Sequence, residues 1–452
     1  MRGMVRSWLL LVLPVIACGE VRTVSPSDAD GGSDEADSAP AAPGLVTVTV
    51  EDMFDDLNAG EPLPDLPVLF FGPDHELIAE EETDEDGVAS ATVPPGSVVL
   101  ILAEIEADQF VTIAVFDVQP GDELRFPSPE PPAEPAVELN SMTIDFPDSD
   151  DADLSYYRAD NGCTSNTSLP ESSQIDLPFD ASCLEVGTSE FDVVVRALDG
   201  EDNVLETSHG HFVYTDFGVA TLESWNGTQD LELPVTGIPD ELHTVTVRST
   251  PAIGRLQFGS ISSDTIEPPG ATYDISVGAI DGWGGALDVL VDYRPIQAAF
   301  GRQLAFYRLE ADATDLPLPL DTELLPWYGP ASLSSATRTI SWVRTEGGGV
   351  PDAQYVYVFG ETKSATIAGM LAVVPPGWTS VTVPELPDEY SDHVLDDYGE
   401  LITIIQAIEV SGYDGYEIRE TGILPFLWSL DDFPSDPDVG FHLKTSGVGG
   451  GK

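Results

Sequence analysis

Residues Gly87 to Phe126 read GVASATVPPGSVVLILAEIEADQFVTIAVFDVQPGDELRF. Short apolar runs (VASATV, SVVLILAEI, FVTIAVFDV, DELRF) are separated by turn signals such as PPG and QPGD, and β-branched residues dominate the runs. Upstream, LVTVTV from Leu45 and PVLFF from Pro67 extend the pattern, so residues 44–127 hold six apparent strands. That many short strands in so few residues predicts a β-sandwich.

Within the segment, Thr83-Asp84-Glu85-Asp86-Gly87 followed by VASATVPPG, and then the closing VQPGDELRF, resembles the transthyretin-like or carboxypeptidase regulatory-like β-sandwich. The resemblance implies a hairpin turn at Thr83–Gly87 and an accessory, stalk or binding role.

Beyond Phe126 the alternating prolines of SPEPPAEPA predict a semi-rigid linker over 128–136. A second β-sandwich is predicted over 137–226, where FDVVVRA places Phe191, Val193, Val195 and Ala197 on one core-facing side and RALDGEDNVLE reads as strand, acidic turn and returning strand. A third is predicted over 227–319 and a β-rich C-terminal domain over 320–447, with 448–452 as a flexible tail. GELITIIQAIE also fits a helical period, but its isoleucines favour a strand. The fold class is therefore all-β: tandem transthyretin-like or Ig-like β-sandwich modules behind a signal peptide and a disordered tether.

At the other end, Arg2 and Arg6 precede the apolar run WLLLVLPVIA and Cys18. A run this short cannot cross a bilayer as a helix, which needs roughly 20 residues, so 1–17 reads as an export signal peptide. Val15-Ile16-Ala17-Cys18 resembles the lipobox of bacterial lipoproteins, and the resemblance implies acylation of Cys18 and a mature chain that begins there. Several acyl chains, at about 0.8 kcal/mol per buried CH₂, would hold the protein on a membrane. Gly19 and Glu20 differ from the aspartate that signals inner-membrane retention, which favours the outer membrane or cell surface. Residues 18–43 carry the lipidated cysteine and an acidic, proline-containing tether with few apolar side chains.

The 452 residues carry 80 Asp and Glu against 17 Lys and Arg, a formal net charge of -63, and only Lys363, Lys444 and Lys452 are lysines. A chain so poor in cations lacks the basic patch that a phosphate backbone requires, which excludes nucleic acid as a partner. Hydrophobic residues make up 42% and mean hydropathy is -0.01, enough apolar surface for several packed domains.

Few residues stand out as sites. Cys163 and Cys183 are the two cysteines besides Cys18, and in an exported chain they predict a disulfide whose loop would contribute about 3 kcal/mol. Calcium is the conceivable metal, because it takes six to eight oxygen ligands, and the candidate set is Asp148, Asp150, Asp151 and Asp153. Asp84 with Asp86, and Asp431, Asp432, Asp436 and Asp438, are further acidic groups, although none fits an EF-hand. His209 and His211 would share one strand face, a geometry able to hold a transition metal if a third ligand existed. Trp283, Trp327, Tyr328, Tyr413 and Tyr416 lie near turn residues and would serve as a sugar-stacking platform if exposed, or as core if buried. No nucleophile elbow, zinc-protease helix or phosphate loop occurs, so no catalytic residue is assigned. The expected function is a non-catalytic, lipid-anchored envelope scaffold or interaction module; a calcium-dependent or carbohydrate-binding adhesin and a hydrolase with paired carboxylates are the alternatives. The expected partners are the membrane, through the anchor, and a protein or polysaccharide.

Overall fold

The computed structural model describes residues 42–51, 61–106, 109–126, 138–184, 188–226, 228–253, 256–260, 262–266, 272–296, 301–345, 348–362, 367–393, 398–411, 415–416 and 442–451. The chain is a succession of β-sandwiches, as the strand pattern predicts. Among the described residues no helix is long and apolar enough to cross a membrane.

The first segment supplies β1 (Gly44–Val50), β2 (Pro67–Phe71), β3 (Leu77–Glu82), β4 (Val88–Val93), β5 (Ser97–Glu106), β6 (Gln109–Val118) and β7 (Glu123–Phe126). They split into a small sheet ordered β4-β1-β7 and a run β6-β5-β2-β3. Thr83–Gly87 is a tight turn, but it carries the chain from β3 to β4 in the opposite layer, so it is not a hairpin. Asp84 Oδ1 accepts from the Asp86 and Val88 amides at 3.0 and 2.9 Å. Gly87 adopts φ +72°, where a Cβ would stand 2.4 Å from the Val50 carbonyl, so only glycine fits.

The second segment folds as β8 (Glu138–Asp145), β9 (Tyr156–Asp160), β10 (Ser165–Ser168), β11 (Gln174–Asp180), β12 (Glu190–Leu198), β13 (Val204–Val213) and β14 (Val219–Thr221). Sheet β10-β9-β12-β13 faces sheet β11-β8-β14 across a core that includes Phe191, Val193, Val195 and Ala197, the face that alternation picks out. Asp199 caps the acidic turn between β12 and β13 by accepting from the Glu201 and Asn203 amides, each at 2.8 Å.

The third segment contributes β15 (Thr228–Thr236), β16 (Leu242–Ile253), β17 (Leu256–Gln257), β18 (Ser262–Ile266), β19 (Thr272–Ile280), β20 (Ala286–Pro295), β21 (Arg302–Glu310) and β22 (Leu318–Pro319), followed by the single helical turn α1 (Leu320–Glu323). Its core takes in Leu320, Leu324 and Trp327, so this unit reaches past the boundary expected at 319.

The remainder forms β23 (Tyr328–Ser334), β24 (Thr339–Arg344), β25 (Ala353–Thr362), β26 (Ile367–Val374), β27 (Ser380–Thr382), β28 (Tyr398–Val410) and β29 (His442–Gly451). GELITIIQAIE lies in strand β28. Residues 448–451, expected as a flexible tail, are strand: they pair with Ile402–Ile405. The physical reason is the free edge of β28, which leaves a row of backbone donors and acceptors that a small-residue strand can satisfy.

The signal peptide, tether and linker expected over 1–17, 18–43 and 128–136 lie, apart from residues 42 and 43, outside the described residues; among the described residues, strands of different units pair directly. One sheet runs β17-β16-β20-β21-β29-β28-β25-β26-β6-β5-β2-β3, with β18 also on β16. Two splices create it. β29 pairs antiparallel with β21 on one side and β28 on the other, and β26 pairs in parallel with β6, from Ile367↔Gln109 to Val373↔Val115. Sheet β4-β1-β7 covers one face near the second splice, and sheet β23-β24-β27 covers the other. Val68 and Phe70 therefore enter one core while Leu69 and Phe71 enter the other. This explains why PVLFF and SVVLIL are continuous apolar runs: strands covered on both faces have no solvent side.

Candidate functional site

Among the described residues, one group of three potential ligand atoms comes together: the Cys163 and Cys183 sulfurs and an Asp180 carboxylate oxygen, all within 4.8 Å of one another. Cys163 lies in the turn between β9 and β10. Asp180 ends β11, and Cys183 closes the 3-10 turn Ala181–Cys183 that follows. Cys163 is at the surface, whereas Cys183 is 1% exposed and belongs to the second core.

The turn that presents Cys163 is built by its neighbours. Asn161 is fully buried, and its Oδ1 accepts from the Cys163 amide at 3.1 Å and the Thr164 amide at 2.8 Å. Its Nδ2 donates to the Pro178 carbonyl at 3.3 Å, and Thr164 Oγ1 donates to the same carbonyl at 2.5 Å, tying the turn to β11. Gly162 takes φ +84° and gives its amide to Asp160 Oδ1 at 2.8 Å. Asp160 Oδ2 in turn holds Arg196 Nη2 at 3.1 Å, and Arg196, 3% exposed, donates through Nη1 to the Ser260 carbonyl of the third unit at 2.8 Å. Burial pushes the Asp160 carboxyl above its usual range against the opposing pull of the Gly162 amide and Arg196. A hydrogen bond with Cys163, reinforced by burial, holds the Cys183 thiol well above the ordinary thiol range.

Chemically, two sulfurs and one carboxylate can close a disulfide or hold a thiophilic cation, but they fall short of the four ligands of a closed zinc site. The disulfide read from the sequence is not formed here: both residues are thiols, side by side. Asp180 is missing from the sequence reading, because only the end of β11 folding against the β9–β10 turn brings it to the sulfurs.

The remaining candidates separate. Cys18, the acidic group at 431–438 and Tyr413 lie outside the described residues. Asp148, Asp150, Asp151 and Asp153 form no cluster of converging carboxylate oxygens. Asp151 Oδ1 instead accepts from the Asp153 amide at 2.9 Å, and the Asp148 carbonyl accepts from Trp225 Nε1 at 3.3 Å, so short-range turn bonds decide their geometry. Asp84 serves its own turn, as described above. His211 pairs with Asp192 at 3.3 Å, while the His209 ring packs edge-on to Trp283 at 5.3 Å, so the two imidazoles do not converge on one ion.

The aromatic candidates are structural. Trp283 is 7% exposed, donates through Nε1 to the Ala286 and Ala252 carbonyls, and joins Val194, Phe258 and Ile280 in a small core between the second and third units. Trp327 and Tyr328 are buried. The Tyr416 hydroxyl donates to the Phe116 carbonyl at 2.8 Å and the Val373 carbonyl at 2.9 Å, bridging the ends of β6 and β26. Sequence reading also misses two buried ionic groups. Arg308 grips Asp288 through Nε and Nη2, both at 2.7 Å, and Lys444 sits between Glu323 at 2.6 Å and Glu409 at 3.0 Å.

No protein-family model matches the chain, and no curated protein does. Solved structures share parts of it at very low scores. The Bacillus anthracis TIE protein is 9% identical over 62% of this chain, with a TM-score of 0.14, and the chain spans 50% of that protein. A DUF3823 family protein from Parabacteroides merdae is 12% identical over 35% of this chain and 92% of its own, with a TM-score of 0.13. A streptococcal ancillary pilin is 8% identical over 61% of this chain and 98% of its own, with a TM-score of 0.14.

Proposed function

We propose that the chain is a non-catalytic scaffold of the cell envelope, held to a membrane through acylated Cys18 and presenting its sandwiches to a protein or polysaccharide partner. The observation that carries this reading is the continuous sheet. It joins the first, third and last units by backbone hydrogen bonds, a construction suited to holding surfaces at fixed separation. The described aromatics and acids singled out as candidate ligand platforms are engaged in packing and turns, which further supports a mechanical role. The anchor rests on the lipobox resemblance, and the acidic surface is consistent with an aqueous, ion-screened exterior.

Fractionation tests the address. The full chain and its Cys18→Ser variant are produced in a bacterial host, and membranes are extracted with a phase-separating detergent. The parent chain is expected in the membrane and detergent phases, and the variant in the soluble fraction. A parent chain recovered from the cytosol would end the anchored reading.

A further inference from the structure

We propose that Cys163 and Cys183 are an oxidation site, closed by exchange with an external disulfide, and that the resulting bond clamps the joint between the second and third sandwiches. The sulfurs stand within 4.8 Å of each other, and a disulfide brings them to roughly 2 Å. Their positions assign the order of events. Cys163, at the surface, attacks one sulfur of the external disulfide as a thiolate and releases one external thiol. Cys183, buried behind it, then attacks the Cys163 sulfur, gives its proton to solvent and releases the second external thiol. The two cysteines lose two electrons and two protons, and the external disulfide gains them as two thiols.

The consequence for the joint follows from what the turn touches. A Cβ placed on Gly162, the neighbour of Cys163, would lie 2.7 Å from the Leu256 Cβ, so the turn rests directly on β17 of the third sandwich. Leu256 packs on the interface core of Val194, Phe258, Ile280 and Trp283. Two residues before Gly162, Asp160 holds the Arg196 guanidinium that reaches the Ser260 carbonyl. The turn is thus one of the second sandwich's bearing surfaces for the third, beside Val194 and His209. Bonding it to Cys183, in the turn that follows β11, removes freedom from that bearing by adding a covalent tie to the hydrogen bonds of Asn161 and Thr164.

The proposal draws on the exported address only for the source of oxidant, and the test supplies the oxidant directly, so the two can fail separately. The full chain is treated with oxidised glutathione, then with dithiothreitol, and alkylation at Cys163 and Cys183 is read by peptide mass spectrometry apart from Cys18. Amide exchange at Leu256, Gln257 and Phe258 is compared between the two states. Loss of alkylation at both cysteines with a joined peptide, its recovery on reduction, and slower exchange in the oxidised state are expected. Persistent alkylation, separate glutathione adducts on each sulfur, or protection that needs added zinc and yields to a chelator would overturn the disulfide. Equal exchange rates in the two redox states, or the same slowing in a Cys163→Ser variant, would overturn the clamp.

Discussion

Asp288 and Arg308 show how single residues are used in this molecule. Both side chains are buried, the guanidinium meets the carboxylate through two 2.7 Å hydrogen bonds, and Gln257 Nε2 adds a third at 2.9 Å. Arg308→Met leaves the Asp288 charge buried without its guanidinium and is expected to cost about 3–5 kcal/mol, read by chemical denaturation. Replacing both, as Asp288→Leu with Arg308→Met, is expected to recover most of that loss, because two apolar side chains need no charge partner. Glu409 responds to pH. Burial tends to raise its carboxyl, but His442 and Lys444 outweigh burial and hold it below the ordinary range. An acid held lower in the folded chain than its unfolded value of about 4.3 favours folding at every pH above that value, and the gain fades as pH falls through the folded value. Melting temperatures followed down from about pH 6 are therefore expected to fall more steeply for the parent than for Glu409→Gln, and parallel acid limbs would contradict this. None of these partnerships is legible in the sequence. Arg308 and Asp288 are 20 positions apart on paired strands, and Lys444 meets Glu323 only because the last strand returns to the third unit. Cys163 and Cys183 are legible as a pair because Cys18 is the one other cysteine in the sequence, while Asp180 is one acid among 80.

At the level of elements, the strands themselves are legible and their partners are not. VASATV alternates because β4 faces a core on one side and solvent on the other, and its burial alternates with it. SVVLIL does not alternate, and that irregularity is the trace of two covering sheets. Which strand lies beside β6 is beyond any local pattern: β26 is more than 200 residues away, and only the packing of both cores selects it. β29 is the extreme case, since its last four residues, 448–451, read as a tail until the open edge of β28 is in view. Ser446 sits between Gln303 and Ala407, fully buried, and its hydroxyl donates to the Pro326 carbonyl at 2.7 Å. A proline there cannot join the ladder, so Ser446→Pro is expected to lower stability by about 3 kcal/mol or more in thermal denaturation. Unchanged melting would show that the last strand does not tie the third unit to the fourth. The opposite edge is guarded differently: β3 carries Glu80, Glu81 and Glu82 along an exposed strand, and charge there discourages further strand addition.

For the whole molecule, the formal charge of -63 sets a strong self-repulsion that backbone pairing must overcome. The two splices in the long sheet meet this demand by making three of the four sandwiches one hydrogen-bonded unit, with the second held against the third through Arg196 and the Trp283 cluster. A stiff body is the physical content of the scaffold reading. Hydrogen exchange on the full chain under mild denaturant is the most direct measurement of it. Peptides from β6, β26, β28, β29 and β21 are expected to lose protection together, as parts of one cooperative unit. If β5 and β6 stay protected while β25 and β26 exchange freely, the first sandwich is an independent bead and the continuous sheet is not what holds this protein together.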